Sequence, residues 1–177
     1  RTRSEQTMAR KSYTPGGFDL VVKRSKSGLG LFVGETEIPK GACVIEYVGP
    51  VVPKGEEDNI NSLYLFEINA RKTINGAPRY NNARYINHSC RANCEPNIHK
   101  GRVFIHALRR IKPGEELNYD YGENYFKEYL KDVCACPKCE AKRAKAAPAK
   151  QRAAAATRTL AKKKTAKTKT KKTKKRA

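Results

Sequence analysis

Arg84-Tyr85-Ile86-Asn87-His88-Ser89-Cys90 puts an amide, an imidazole and a thiol within four residues. Asn87 and His88 offer donors and acceptors that a buried ligand could use. Cys90 offers a thiolate that a metal could use. Cys134-Ala135-Cys136-Pro137-Lys138-Cys139 carries three more thiols with no fourth beside them. Structural zinc takes four ligands, and Cys90 could be the fourth. Closing that set would thread the middle of the chain to its end. A third stretch, Glu116-Leu117-Asn118-Tyr119-Asp120-Tyr121-Gly122, alternates two tyrosines. On a strand both would face one side, as core packing or as the wall of a site.

Arg84 to Cys90 resembles the R-[FY]-I-N-H-S-C signature of SET-domain protein lysine methyltransferases. Glu116 to Gly122 resembles the second signature of that family, and the cysteine cluster resembles its post-SET zinc segment. The resemblance covers roughly residues 18 to 139 and does not reach the tail.

The resemblance implies a mostly β fold with few short helices. Its sheets would be small and curved, with a threaded, knot-like C-terminal segment. It implies transfer of a methyl group from S-adenosylmethionine to a protein lysine. Tyr121 takes the role of the catalytic tyrosine, aligning the lysine nitrogen. Tyr119 falls where the family carries Phe or Tyr; a hydroxyl there holds a water and leaves little room for methylated lysine. Ser27, Gly28, Leu29, Tyr64, Arg84, Asn87 and His88 fall at cofactor-binding positions. Cys90, Cys134, Cys136 and Cys139 fall at zinc positions. No residue is assigned as general base, His88 included. His99 and His106 match nothing in the family and are read as structural, and Cys94 is not a ligand position.

Two departures stand out. The last zinc ligands follow C-x-C-x2-C where the family has C-x-C-x4-C, which bears on Cys139. Asn75-Gly76 stands where many relatives carry Asp-Ala, and is read as a change in a surface turn.

The chemistry explains the tyrosines. A free lysine has a pKa near 10.4, so presenting it neutral at pH 7 costs roughly 4.6 kcal/mol. A narrow apolar channel lowers that cost by desolvation. Phenol rings can wall such a channel while their hydroxyls orient the nitrogen. The chain has nine tyrosines and no tryptophan.

Elements must carry these groups to one place. Strands are expected at Phe18 to Val22, Leu31 to Val33, Ala42 to Val48, Leu63 to Ile68, Val103 to Ala107 and Leu117 to Tyr121. Lys23 to Gly30 reads as a polar loop. Ile38-Pro39-Lys40-Gly41 and Ile111-Lys112-Pro113-Gly114 repeat one turn chemistry. Tyr125, Phe126, Tyr129 and Leu130 form a helical stripe, read as a packing helix or as a flank of the lysine channel. Cys43 reads as a buried apolar residue. The expected organisation is a lead-in over 1–17, the SET domain over 18–122, a post-SET segment over 123–141 and a disordered basic tail over 142–177.

Charge is concentrated in that tail. Of the formal +21, residues 140–177 carry 16 Lys or Arg against one acid. No apolar stripe is available to dock a helix there, and such a run is either a solubilising tail or a DNA anchor. C-x-C-x2-C clustering suits metal in a reducing compartment better than disulfides, and no stretch approaches the length of a membrane helix. The expectation is an intracellular monomer at chromatin, in the nucleus or a bacterial nucleoid, acting on a histone or other basic protein and holding DNA with its tail. The chain opens on Arg1 rather than Met, which leaves open a trimmed sequence, with Met8 one candidate for a natural start. The competing reading is a non-enzymatic, zinc-stapled nucleoid or chromatin binder that acts through the tail alone.

Overall fold

The repeated Ile-Pro-Lys-Gly and Ile-Lys-Pro-Gly turns meet each other. Ile38 and Ile111 exchange both backbone hydrogen bonds at 2.9 Å, and both side chains are fully buried. Each turn closes on a glycine with positive φ, Gly41 at 80° and Gly114 at 79°. Two stretches of like composition thus staple residues far apart in the chain. The computed structural model describes residues 11–146. Residues 11–136 belong to one compact unit, and those from Pro137 to a second.

Among the described residues, ten short strands build the first unit. β1 (Leu20–Ser25) and β2 (Gly28–Val33) form an antiparallel hairpin in which Ser25 faces Gly28. The turn is therefore only Lys26-Ser27, and the rest of the expected loop over 23–30 is strand. Lys23 and Arg24 point to opposite faces of this two-stranded ribbon and both are exposed, so their polarity does not interrupt it. β3 (Cys43–Tyr47), β8 (Cys94–His99) and β9 (Arg102–Ala107) make a sheet in the order β3-β9-β8. β8 was not expected, because Pro96 interrupts its pattern; it is an edge strand, where proline is tolerated. β4 (Val51–Pro53), β5 (Leu65–Asn69) and β6 (Lys72–Asn75) form a second sheet in the order β4-β6-β5. β7 (Asn87–His88) pairs in parallel with β10 (Asn118–Tyr119).

The core is aliphatic. Leu31, Val33, Val103, Ile105 and Leu117 have no exposed surface, and the two turn isoleucines join them. Cys43 and Cys94 are buried, as small apolar residues often are. His106 is buried too, with Nε2 at 2.7 Å from the Ser12 carbonyl oxygen. His99 stacks on Tyr13 at 3.9 Å between ring centroids.

The expected helical stripe is found, in altered form. A single α-turn, α1 (Glu123–Tyr125), widens into a π-helical turn over Phe126–Leu130. Such widened turns cluster at functional sites. In the second unit, α2 (Pro137–Ala146) opens on a proline and buries no side chain. It takes residues 142–146 out of the expected disorder. The rest of the expected tail, 147–177, lies outside the described residues, as does most of the lead-in. Among the described residues, no helix is long and apolar enough to cross a membrane.

Candidate active site

The parallel pair β7–β10 sets Asn87 opposite Asn118 and His88 opposite Tyr119. The two motifs singled out in the sequence are therefore hydrogen-bonded neighbours. Tyr121 follows just beyond the strand. Its N–H donates to His88 Nδ1 at 3.2 Å, and its hydroxyl donates to the Ile86 carbonyl at 2.6 Å. The Tyr119 and Tyr121 rings lie 4.8 Å apart, tilted by 46°. Tyr121 also meets Tyr125 edge-on at 5.3 Å. The expected strand over 117–121 is shorter than its alternation suggested, yet both rings still share one side.

These rings border a cleft of about 770 Å3. Ser27, Leu29, Tyr64, Arg84, Asn87, His88, Tyr119 and Tyr121 all line it, with Tyr47 and Tyr125. Gly28 sits between two lining residues with φ at +111°, a conformation that favours glycine. A Cβ there would meet nothing, so backbone freedom and not space calls for glycine.

Burial governs the electrostatics. It pushes the phenols of Tyr119 and Tyr121 far above their ordinary value, with neighbouring tyrosines adding to the effect. It pushes Tyr47 up to about 12. The hydroxyls are therefore neutral dipoles across the working range of pH. Burial also lowers His88, against an opposing pull from Asp120, whose carboxylate lies 3.7 Å from Nδ1. A neutral imidazole that accepts at Nδ1 carries its proton on Nε2. That nitrogen stands 3.3 Å from Cys90 Sγ.

Three groups here were not singled out from the sequence. Glu116 opens the second motif and acts as a hub. Its Oε2 accepts from Ser25 Oγ at 2.8 Å, and its Oε1 from Asn87 Nδ2 at 2.7 Å. Asn87 Nδ2 also donates to the Leu29 carbonyl at 3.0 Å. Both amide hydrogens are thus engaged, leaving Oδ1 as the acceptor Asn87 can present. Asn93, 2% exposed, ties the signature loop to Asn118 and to the Glu116 carbonyl. Tyr47 donates its hydroxyl to the Tyr64 carbonyl at 2.9 Å. Only Glu116 had a legible cue, as a carboxylate inside a motif already noted.

Asn75-Gly76 is not a surface turn. Gly76 is buried, and a Cβ on it would fall within 3.0 Å of the Tyr47 phenol, closer than real Cβ atoms approach. The sequence showed no partner for this glycine because Tyr47 lies on a different sheet.

Arg84 donates to the Ala77 carbonyl and lays its guanidinium 4.1 Å over the Tyr64 ring. Its Nε is buried with no hydrogen-bond partner among the described residues. An unpaired buried donor is costly, and an anionic ligand group would satisfy it. The cleft thus presents a cation, an amide acceptor and aromatic faces together. That set fits S-adenosylmethionine, which carries a carboxylate, an ammonium and an aromatic base.

The metal candidates also converge. The Sγ atoms of Cys90, Cys134, Cys136 and Cys139 all lie within 4.8 Å of one another. Tetrahedral zinc with bonds of about 2.3 Å needs sulfurs about 3.8 Å apart, so the donor set fits that ion. The short C-x2-C link does not keep Cys139 from the group.

The SET domain family matches residues 28–122. The chain is 35% identical over 136 residues to the Drosophila melanogaster histone-lysine N-methyltransferase trr, covering 68% of this chain and 6% of that protein. It is 32% identical over 146 residues to human histone-lysine N-methyltransferase 2D, covering 75% and 3%. It is 36% identical over 124 residues to a Schizosaccharomyces pombe histone-lysine N-methyltransferase described as H3 lysine-4 specific, covering 63% and 13%. The chain spans only a small part of each relative.

Proposed function

Because the chain belongs to the SET-domain family, we propose that it is a protein-lysine N-methyltransferase dependent on S-adenosylmethionine. The observation that carries this reading is the meeting of Asn87, His88, Tyr119 and Tyr121 at one parallel strand pair on the wall of the cleft. When bound, the cofactor supplies an electrophilic methyl group on a sulfonium.

The chain's own residues do the rest. Arg84 Nε would hold the cofactor carboxylate, and Asn87 Oδ1 would accept from its ammonium. The Lys26-Ser27 turn, Gly28 and Leu29 would bring backbone close to it, and Tyr64 and His88 would complete the walls. Tyr119, Tyr121 and Tyr125 wall the lysine channel. Their desolvated surroundings favour the neutral amine, and the hydroxyls of Tyr119 and Tyr121 orient its lone pair. With phenols this hard to ionise, proton removal falls to water.

Zinc, held by Cys90, Cys134, Cys136 and Cys139, would staple the segment after Tyr121 and so close that side of the cleft. The relatives' names support a histone or similarly basic, DNA-associated protein as substrate. The tail's charge supports a place at chromatin or a nucleoid. The test is methyl transfer from labelled S-adenosylmethionine to core histones and to basic nucleoid proteins, with mass spectrometry locating the modified lysine. Absence of transfer to every basic substrate, by zinc-loaded protein that binds the cofactor, would refute the assignment.

A further inference from the structure

We infer that Glu116 is a positioning residue: its carboxylate, seated against Gly30, locks the Asn87 amide with Oδ1 as the atom offered to the ammonium of the proposed cofactor. The inference rests on the cofactor reading above and extends it to a residue that does not itself line the cleft.

The backbone fixes where Glu116 stands. Its two neighbours bond across to β2: Val33 N–H donates to the Glu115 carbonyl at 2.9 Å, and Leu117 N–H to the Leu31 carbonyl at 2.8 Å. Phe32 and Glu116 pair between them. The Glu116 carbonyl also accepts from Asn93 Nδ2 at 2.8 Å. The half-buried side chain therefore leaves a held point beside the β1–β2 hairpin.

Gly30 makes room for it. A Cβ on Gly30 would overlap Glu116 Oε1. Gly28 has positive φ and Gly30 does not, so Gly30 is glycine for space and not for backbone freedom. The oxygen that needs this space is the one that accepts from Asn87 Nδ2 at 2.7 Å. The other carboxylate oxygen is engaged by Ser25 Oγ at 2.8 Å.

The Asn87 amide then has one orientation. Nδ2 donates to Glu116 Oε1 and to the Leu29 carbonyl at 3.0 Å. A flipped amide would turn Oδ1 onto two oxygens that have no hydrogen to give. A bond to a carboxylate is roughly twice as strong as one between neutral groups, so Glu116 holds the amide harder than the Leu29 carbonyl does. Glu116 thus acts on the cofactor's amine through Asn87, without touching it.

The experiment measures, by calorimetry on the full-length protein, the affinity for two ligands. One is S-adenosylhomocysteine; the other is the same thioether without its α-amino group. In wild type the amine should tighten binding. Glu116→Ala should cut that advantage by about tenfold, the scale of one hydrogen bond to a charged group, and leave affinity for the deaminated ligand nearly unchanged. A merely structural loss would weaken both ligands alike. Glu116→Gln keeps an oxygen at the same reach, and its amide can donate to Ser25 Oγ, so it should restore at least half of the lost advantage on a logarithmic scale. Glu116→Asp keeps the charge but withdraws it by one methylene, and should behave like the alanine variant. The inference is overturned by an unchanged advantage in Glu116→Ala, by equal weakening of both ligands, or by a glutamine variant no better than alanine. If Glu116→Ala does not fold, Glu116→Asp takes its place against Glu116→Gln, with the same outcomes. Wild-type protein that binds the two ligands equally also overturns the inference. Wild-type protein that binds neither ligand defeats the cofactor reading itself.

Discussion

His88 Nε2 lies 3.3 Å from Cys90 Sγ, across the imidazole from the Nδ1 that accepts the Tyr121 N–H. One ring therefore joins a candidate zinc ligand to the backbone of the candidate catalytic tyrosine.

Zinc should matter on both sides of that ring. Protein purified without added metal is expected to hold one zinc per chain by elemental analysis. Stripping it should loosen the residues after Tyr121 and reduce methyl transfer together, because binding and local order are linked. Cys139→Ser should lower zinc retention against a chelator. Full activity in zinc-stripped protein would sink the idea, and full zinc retention in the serine variant would remove that ligand alone.

Tyr121→Phe should cut methyl transfer by about 100-fold, the scale of a misplaced reacting group. Cofactor affinity, measured by calorimetry, should stay nearly intact, since only the bond to the Ile86 carbonyl is lost. Full turnover at saturating lysine substrate would disprove the role.

Tyr119 should limit the product to mono- or dimethyl-lysine. Removing its hydroxyl with Tyr119→Phe makes room and should carry the reaction further. A time course read by mass spectrometry decides. Trimethyl-lysine as the main wild-type product would contradict the assignment.

Stability should fall in alkali. Tyr47 titrates up to about 12 in the fold against about 10 in the unfolded chain. The unfolded state releases its proton first, so the contribution is whole below about pH 10 and is lost as pH rises toward 12. Denaturant melts across that range should show the decline, less steep in Tyr47→Phe. Identical slopes would mean that Tyr47 is not desolvated.

The basic tail should bind DNA through phosphates, without sequence preference. It has no aromatic residue to stack on bases. Affinity should fall with salt at a log-log slope of about −0.9 per phosphate neutralised. Protein ending at residue 139 should lose most of this binding yet keep its turnover on a short peptide. Equal DNA affinity with and without the tail would exclude it as the anchor.

The site was more legible than the strands. Asn87, His88, Tyr119 and Tyr121 stand in two short motifs, and the resemblance of those motifs to the family signatures singled them out. The four thiols were legible because zinc chemistry demands a count of four. The two-residue strands β7 and β10 were not, since no periodicity can be read from two residues. β8 hid behind Pro96, which only an edge position permits. Gly76 was misread because its partner, Tyr47, is 29 positions away and belongs to another sheet. A glycine's neighbour across space leaves no mark in the sequence around it.

The parallel pairing of Asn87-His88 with Asn118-Tyr119 has a consequence for synthesis and folding. Neither wall exists until a strand more than 25 residues downstream has been made and has found its partner. Pairings so distant in the chain close slowly, because loop entropy is lost before any contact repays it. A growing polypeptide on the ribosome therefore carries the first motif for some time as an unfinished pocket. The proposed methyl transfer would become possible only once nearly the whole domain has emerged. Any ligand that settles in the finished cleft then stabilises the entire fold by mass action, because no smaller piece of it can bind.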